Sequence, residues 1–163
     1  MVSQQIYILS KGIINAFLTG FIVFLMVFLS FILASSINYS SSEMFYYEFT
    51  FSQLLSAGDY IYVLIYSLWV SINAVVYSTI TYLLLHLIRS SFIALLLPFL
   101  FYHIFNFISG VLGVPEFSPI STIFPFNIVQ QPLWTVLVPF SFLLISLIFL
   151  FLFTIRNLKS LRI

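Results

Sequence analysis

The sequence predicts an all-α integral membrane protein with four transmembrane helices, and three observations carry that reading. Hydrophobic residues make up 63% of the chain and charged ones 6%, with a mean hydropathy of +1.21, far from any ordinary water-soluble domain. The apolar residues lie in long continuous runs rather than in two-residue alternation, which points to helices and away from a barrel. The charges are also segregated: with four spans, Lys11, Arg89, Arg156, Lys159 and Arg162 fall on one side and Glu43, Glu48, Asp59 and Glu116 on the other. By the positive-inside rule, both termini and the Arg89 turn are cytoplasmic.

The first span is read over residues 13–37, uncharged and preceded by Lys11. A secretory signal peptide is the rival reading, but the apolar core is much longer than the usual 7–15 residues. Residues 38–59 form an outer segment. Ser40 and Glu43 there have capping-box spacing ahead of an aromatic stretch, so a short interfacial helix is expected.

The centre of the chain is a hairpin, with spans over 60–86 and 91–112. Arg89 holds the single full charge between Asp59 and Glu116. A continuous helix from Tyr60 to Gly113 would be about 80 Å long, against a hydrocarbon core of about 30 Å, so the chain must fold back. Arg89 marks the tip, because a charge at mid-membrane costs about 2.5–3.5 kcal/mol even on lenient scales. Residues 113–132 form a second outer segment with four prolines among aromatic and branched side chains. It is too apolar for free solvent and too broken to span, so it should lie on or dip into the outer leaflet. The last span is 133–155. With no internal repeat or linker, residues 1–163 form one membrane domain.

Candidate functional residues are few. On the second helix Ser67, Ser71, Ala74, Ser78 and Thr81 share one face. Close helix packing accounts for such a stripe; the functional reading makes it one wall of a polar pathway. Asn73 lies off the stripe and is expected to point into the bundle or a subunit contact. On the third helix His103, Asn106, Gly110 and Gly113 share a face. An intramembrane histidine is a candidate for proton relay or substrate contact; the plainer alternative is an imidazole bonded to Asn106 or to a neighbouring hydroxyl. Pro98 and Pro139 should kink the third and fourth spans. His86 and Arg89 either meet a cytoplasmic partner or mark the inner interface.

With no cysteine in the chain, disulfides and thiolate sites are excluded. No hydrolase motif and no phosphate-binding GxxxxGK[ST] motif occurs, so the chain is not expected to be an enzyme or to carry a cofactor. No basic cluster suits nucleic acid. Heavy use of Phe, Ile, Leu, Tyr and Ser suits an AT-rich bacterial genome and hence a bacterial cell (inner) membrane.

Several textures resemble the last four spans of ABC-2 type transporter permeases, the membrane subunits found in low-GC Gram-positive bacteria. They are Tyr7-Ile8-Leu9-Ser10-Lys11 before the first run, aromatics before Tyr60-Ile61-Tyr62, and the polar second span with its tight basic turn. The Leu96-Leu97-Pro98-Phe99 stretch and the outer Ser118-Pro119-Ile120 segment complete the likeness. The resemblance implies a permease-type subunit of an ATP-driven exporter or resistance transporter, with ATP hydrolysed on a separate cytoplasmic subunit. It also implies association with another membrane subunit, identical or different. Family members usually have six spans, so the resemblance leaves two readings open: a complete four-span chain, or a truncated or split six-span permease. The runner-up is a non-transporting immunity or assembly factor that binds a partner within the bilayer.

Overall fold

The computed structural model describes residues 4–37, 58–124 and 133–160. Four helices among them are long and apolar enough to cross a membrane: α1 (Gln4–Ile37), α2 (Asp59–Leu87), α3 (Ser91–Val111) and α5 (Leu133–Ser160). A 3-10 turn (Pro115–Phe117) and a one-turn helix, α4 (Pro119–Ile123), lie between α3 and α5, and no strand occurs among the described residues. The expected interfacial helix with its Ser40–Glu43 capping box and residues 125–132 of the second expected outer segment lie outside the described residues.

The boundaries follow local chemistry. Helix α1 starts nine residues ahead of the expected span because Lys11 does not end it. Its ammonium stands over the Tyr7 ring at 4.6 Å, one turn back, while its stem lies along the helix. Helix α5 likewise runs on past Ile155 through Arg156. Helix α2 begins after Gly58, whose φ of 116° is a conformation that side-chain-bearing residues seldom adopt. It closes with the Ile88 amide on the Leu84 carbonyl at 2.8 Å. Three residues, Ile88–Ser90, make the turn, and the Ser90 hydroxyl accepts the Ile93 amide to start α3.

At the far end of α3 the Val114 amide reaches Ser109 O at 3.0 Å and the Gly113 amide reaches Gly110 O at 3.2 Å. This is the Schellman pattern, and it needs Gly113 at φ +71°. Gly113 therefore lies past the helix rather than on the His103 face, which corrects the expected four-residue stripe.

Helix α2 is the centre of the bundle. A third of its apolar window (33%) is buried within the protein, against 6% for α1 and for α5. It packs on α1 along one flank and on α3 and α5 along others, while the backbones of α3 and α5 do not approach each other closely. The outward surface is apolar: Phe17, Phe21, Met26, Phe92, Phe107 and Phe149 are all exposed. Such a surface suits a hydrocarbon solvent and not water.

Hydroxyls inside the spans satisfy themselves. Ser141, Ser146 and Thr154 each donate to the carbonyl four residues back on α5.

Candidate functional site

The serine stripe of α2 meets α1. Ser78 Oγ receives the Asn15 amide nitrogen at 2.7 Å and lies 3.1 Å from Thr19 Oγ1. One turn and a half along, Gly20 lies so close to α2 that a β-carbon there would stand 2.7 Å from Val75 Cγ2 and 3.5 Å from Ser71 Oγ. Ser67 is fully buried and donates to Val63 O at 2.7 Å. Thr81 donates to Tyr77 O at 2.9 Å, and Tyr82 OH reaches across to Ile8 O at 3.0 Å. In this geometry the stripe is the contact face of two closely packed helices. The α1 half of the seam, Gly12, Asn15, Thr19 and Gly20, was not singled out in the sequence. Its three- and four-residue spacing was the available signal.

Asn73 is buried to 1% exposure. Its amide nitrogen donates to Trp69 O at 3.0 Å, while its Oδ1 has no partner. An unsatisfied acceptor in so apolar a setting leaves a site for a donor on a water or another molecule.

The described part of the segment between α3 and α5, residues 113–124, is an anchored roof. Asn106 Oδ1 accepts the Ile120 amide at 2.9 Å, and the Trp69 indole donates to Thr122 O at 2.7 Å. Ser118 caps α4, and Ser121 Oγ donates to Pro115 O at 2.8 Å. Ser118, Ser121 and Thr122 are buried. This irregular backbone thus has several of its polar groups met by protein. Trp69 also packs its ring on Phe140 of α5 at 4.9 Å, so α2, α3 and α5 together fix the roof.

His103 does not bond to Asn106, one of the two partners expected for it, and no bond to a neighbouring hydroxyl occurs among the described residues. Asn106 is turned to Ile120, and the imidazole lies on the exposed flank of α3. It is held between the Phe99 ring at 4.3 Å and the Tyr102 ring at 5.2 Å. On the same flank Gly110 has open space around it. The physical reason is geometric: among the described residues α3 packs closely only on α2 and the roof, which leaves this flank without a described helix against it.

His86 sits at the end of α2 with Nδ1 2.8 Å from Tyr82 O and its ring 4.6 Å from the Tyr82 ring. Arg89 is exposed in the turn beyond. The start of α1 and the end of α5 reach this same end of the bundle, since Ile8, Tyr82 and Thr154 line one small cavity there.

Between α3 and α5 lies a larger cleft of about 640 Å³. Pro98 and Pro139 both face it, and Phe117 and Pro119 of the roof close one end. Across its floor Tyr77 of α2 meets Tyr102 edge-on at 6.4 Å.

The chain matches no protein-family model, no curated protein and no solved structure.

Proposed function

We propose that the protein is a permease-type membrane subunit of an ATP-driven exporter, resembling ABC-2 type permeases, with ATP hydrolysed on a separate cytoplasmic chain. The observation that carries the proposal is His103. A polar ring within a span, turned away from the other described helices, stands where an unpaired polar group is disfavoured by lipid. A second membrane chain against α3 supplies the missing partner, with Gly110 on the same flank letting the backbones approach. In this reading both termini and the Arg89 turn lie in the cytoplasm of a bacterial cell, as the positive-inside rule directs. His86 and Arg89 then face the ATP-binding chain.

The alternative is an immunity or assembly factor that uses the same flank to hold a partner within the bilayer. The lateral cleft between α3 and α5 favours export, because it gives a lipophilic compound an opening at membrane depth. Purification of the tagged protein from its native membrane in mild detergent separates the two. Export predicts a nucleotide-binding chain in the complex. A complex holding only a membrane or secreted partner would contradict export and select the alternative.

A further inference from the structure

We infer that the bundle described above is the closed one of two states, and that Asn73 biases it toward the other. In the open state the half of α5 beyond Pro139 swings away from α2, and water reaches the Asn73 carboxamide oxygen. The device needs no ATP-binding chain and no transported compound, so it stands apart from the export reading.

Asn73 is the exception among the polar side chains of the bundle. Asn15, Thr79, Asn106 and Thr154 each find a hydrogen-bond partner. Asn73 Oδ1 is the one buried side-chain oxygen or nitrogen among the described residues that finds none. The residue is 1% exposed, so no donor reaches that oxygen while the helices stay as they are. Its nitrogen bonds back to Trp69 O on the same helix and ties α2 to nothing else. A buried acceptor without a donor raises the free energy of the packing that buries it, and an arrangement that brings it a donor is favoured to the same extent.

The position of Asn73 indicates which movement does that. One turn before it, Trp69 packs on Phe140 of α5 and donates to Thr122 of the roof. One turn after it, Tyr77 meets Tyr102 of α3. Asn73 therefore shares a helix face with Tyr77, Ile80 and Leu84, the floor of the cleft between α3 and α5.

Helix α5 holds the hinge. Before Pro139 it is fixed: Thr135 and Val136 are buried, and the Trp134 ring lies 5.7 Å from that of Phe117 in the roof. Beyond Pro139, Thr154 is the one buried residue among those described, while Phe142, Ile145, Phe149 and Leu152 are exposed. At the end away from the roof, the cavity lined by Tyr82 and Thr154 loosens the fit of α5 on its neighbours. Pro139 has no amide hydrogen for the preceding turn and its ring crowds that turn, so bending concentrates there. Phe140, the next residue, is the one that packs on Trp69. A bend at Pro139 thus parts α5 from α2 at the level of Asn73.

The test uses the full-length protein in lipid vesicles, with a single cysteine at Val76, buried three residues after Asn73. Its reaction with methyl methanethiosulfonate reports opening. With Asn73 present the thiol should react slowly but to completion. Asn73→Leu, an apolar branch of similar outline, should slow the reaction about ten-fold, which is about 1.4 kcal/mol and within the cost of leaving a buried polar group unpaired. Pro139→Leu, which restores the missing amide, should slow it as well. A single cysteine at Ala94, buried on α3, should react at a rate that neither substitution changes. A thiol at Val76 that never reacts, or that reacts equally fast with Asn73→Leu or with Pro139→Leu, would overturn the inference. Equal slowing at Ala94 would also overturn it, because the whole bundle and not α5 alone would then have been stabilised.

Discussion

Asn106 Oδ1 accepts the backbone amide of Ile120 at 2.9 Å, tying the middle of the outer segment to α3 across fourteen residues. Removing the acceptor with Asn106→Leu should loosen the roof without unfolding the bundle. Hydrogen bonds inside membrane proteins average about 0.6 kcal/mol and reach about 1.7 kcal/mol. A single cysteine at Ile120 should therefore react faster with an impermeant maleimide in the Leu variant than in the parent, while Asn106→Asp, which keeps an oxygen at the same reach, should restore the slow rate. Equal rates in all three proteins would show that the bond does not hold the roof.

Gly20 and Gly110 make a matched pair for testing the α1–α2 seam. A β-carbon at Gly20 collides with Val75 Cγ2 at 2.7 Å, whereas one at Gly110 meets nothing within 4 Å. Gly20→Ala should destabilise by about 1–3 kcal/mol, the range for overpacking a close contact. Gly110→Ala should lie between neutral and about 1 kcal/mol stabilising, as expected for alanine in a helix interior. Unfolding by denaturant in detergent micelles measures both. A Gly20→Ala protein as stable as its parent would contradict the close approach of the two helices.

For His103 the expectation divides folding from assembly. The imidazole forms ring contacts but no hydrogen bond among the described residues, so His103→Leu should change the unfolding free energy of the isolated protein by less than about 0.5 kcal/mol. The same variant should lose the chains that co-purify with the parent, and His103→Gln, with its donor and acceptor, should keep them. A Leu variant that retains every partner would remove α3 as the docking flank.

How much was legible beforehand varies with the physics of each feature. The hairpin was readable because Arg89 is expensive in lipid, and its turn falls at Ile88–Ser90. The start of α1 was not, because a lysine can lie along its own helix with its charge over Tyr7. The serine stripe announced a face on α2, while its complement on α1 was hidden in an apolar run where Asn15 and Thr19 look incidental. For α3, spacing told that His103 and Asn106 are neighbours on the helix surface. It carried no information on which way that surface turns. The partner of Asn106 is a backbone amide in a proline-rich loop, which no side-chain pattern announces.

The central claim is a four-span helical bundle with its basic residues on one side of the membrane. The chain has no cysteine, so single cysteines report their side directly. Variants at Ser10, Ser90, Glu116 and Asn157 are treated in intact cells with a membrane-impermeant maleimide. Only the Glu116 position should react until the membrane is permeabilised, after which the other three should react as well. Reaction at Ser90 in intact cells alongside Glu116 would place the hairpin tip and the roof on one side, and the four-span bundle would be wrong.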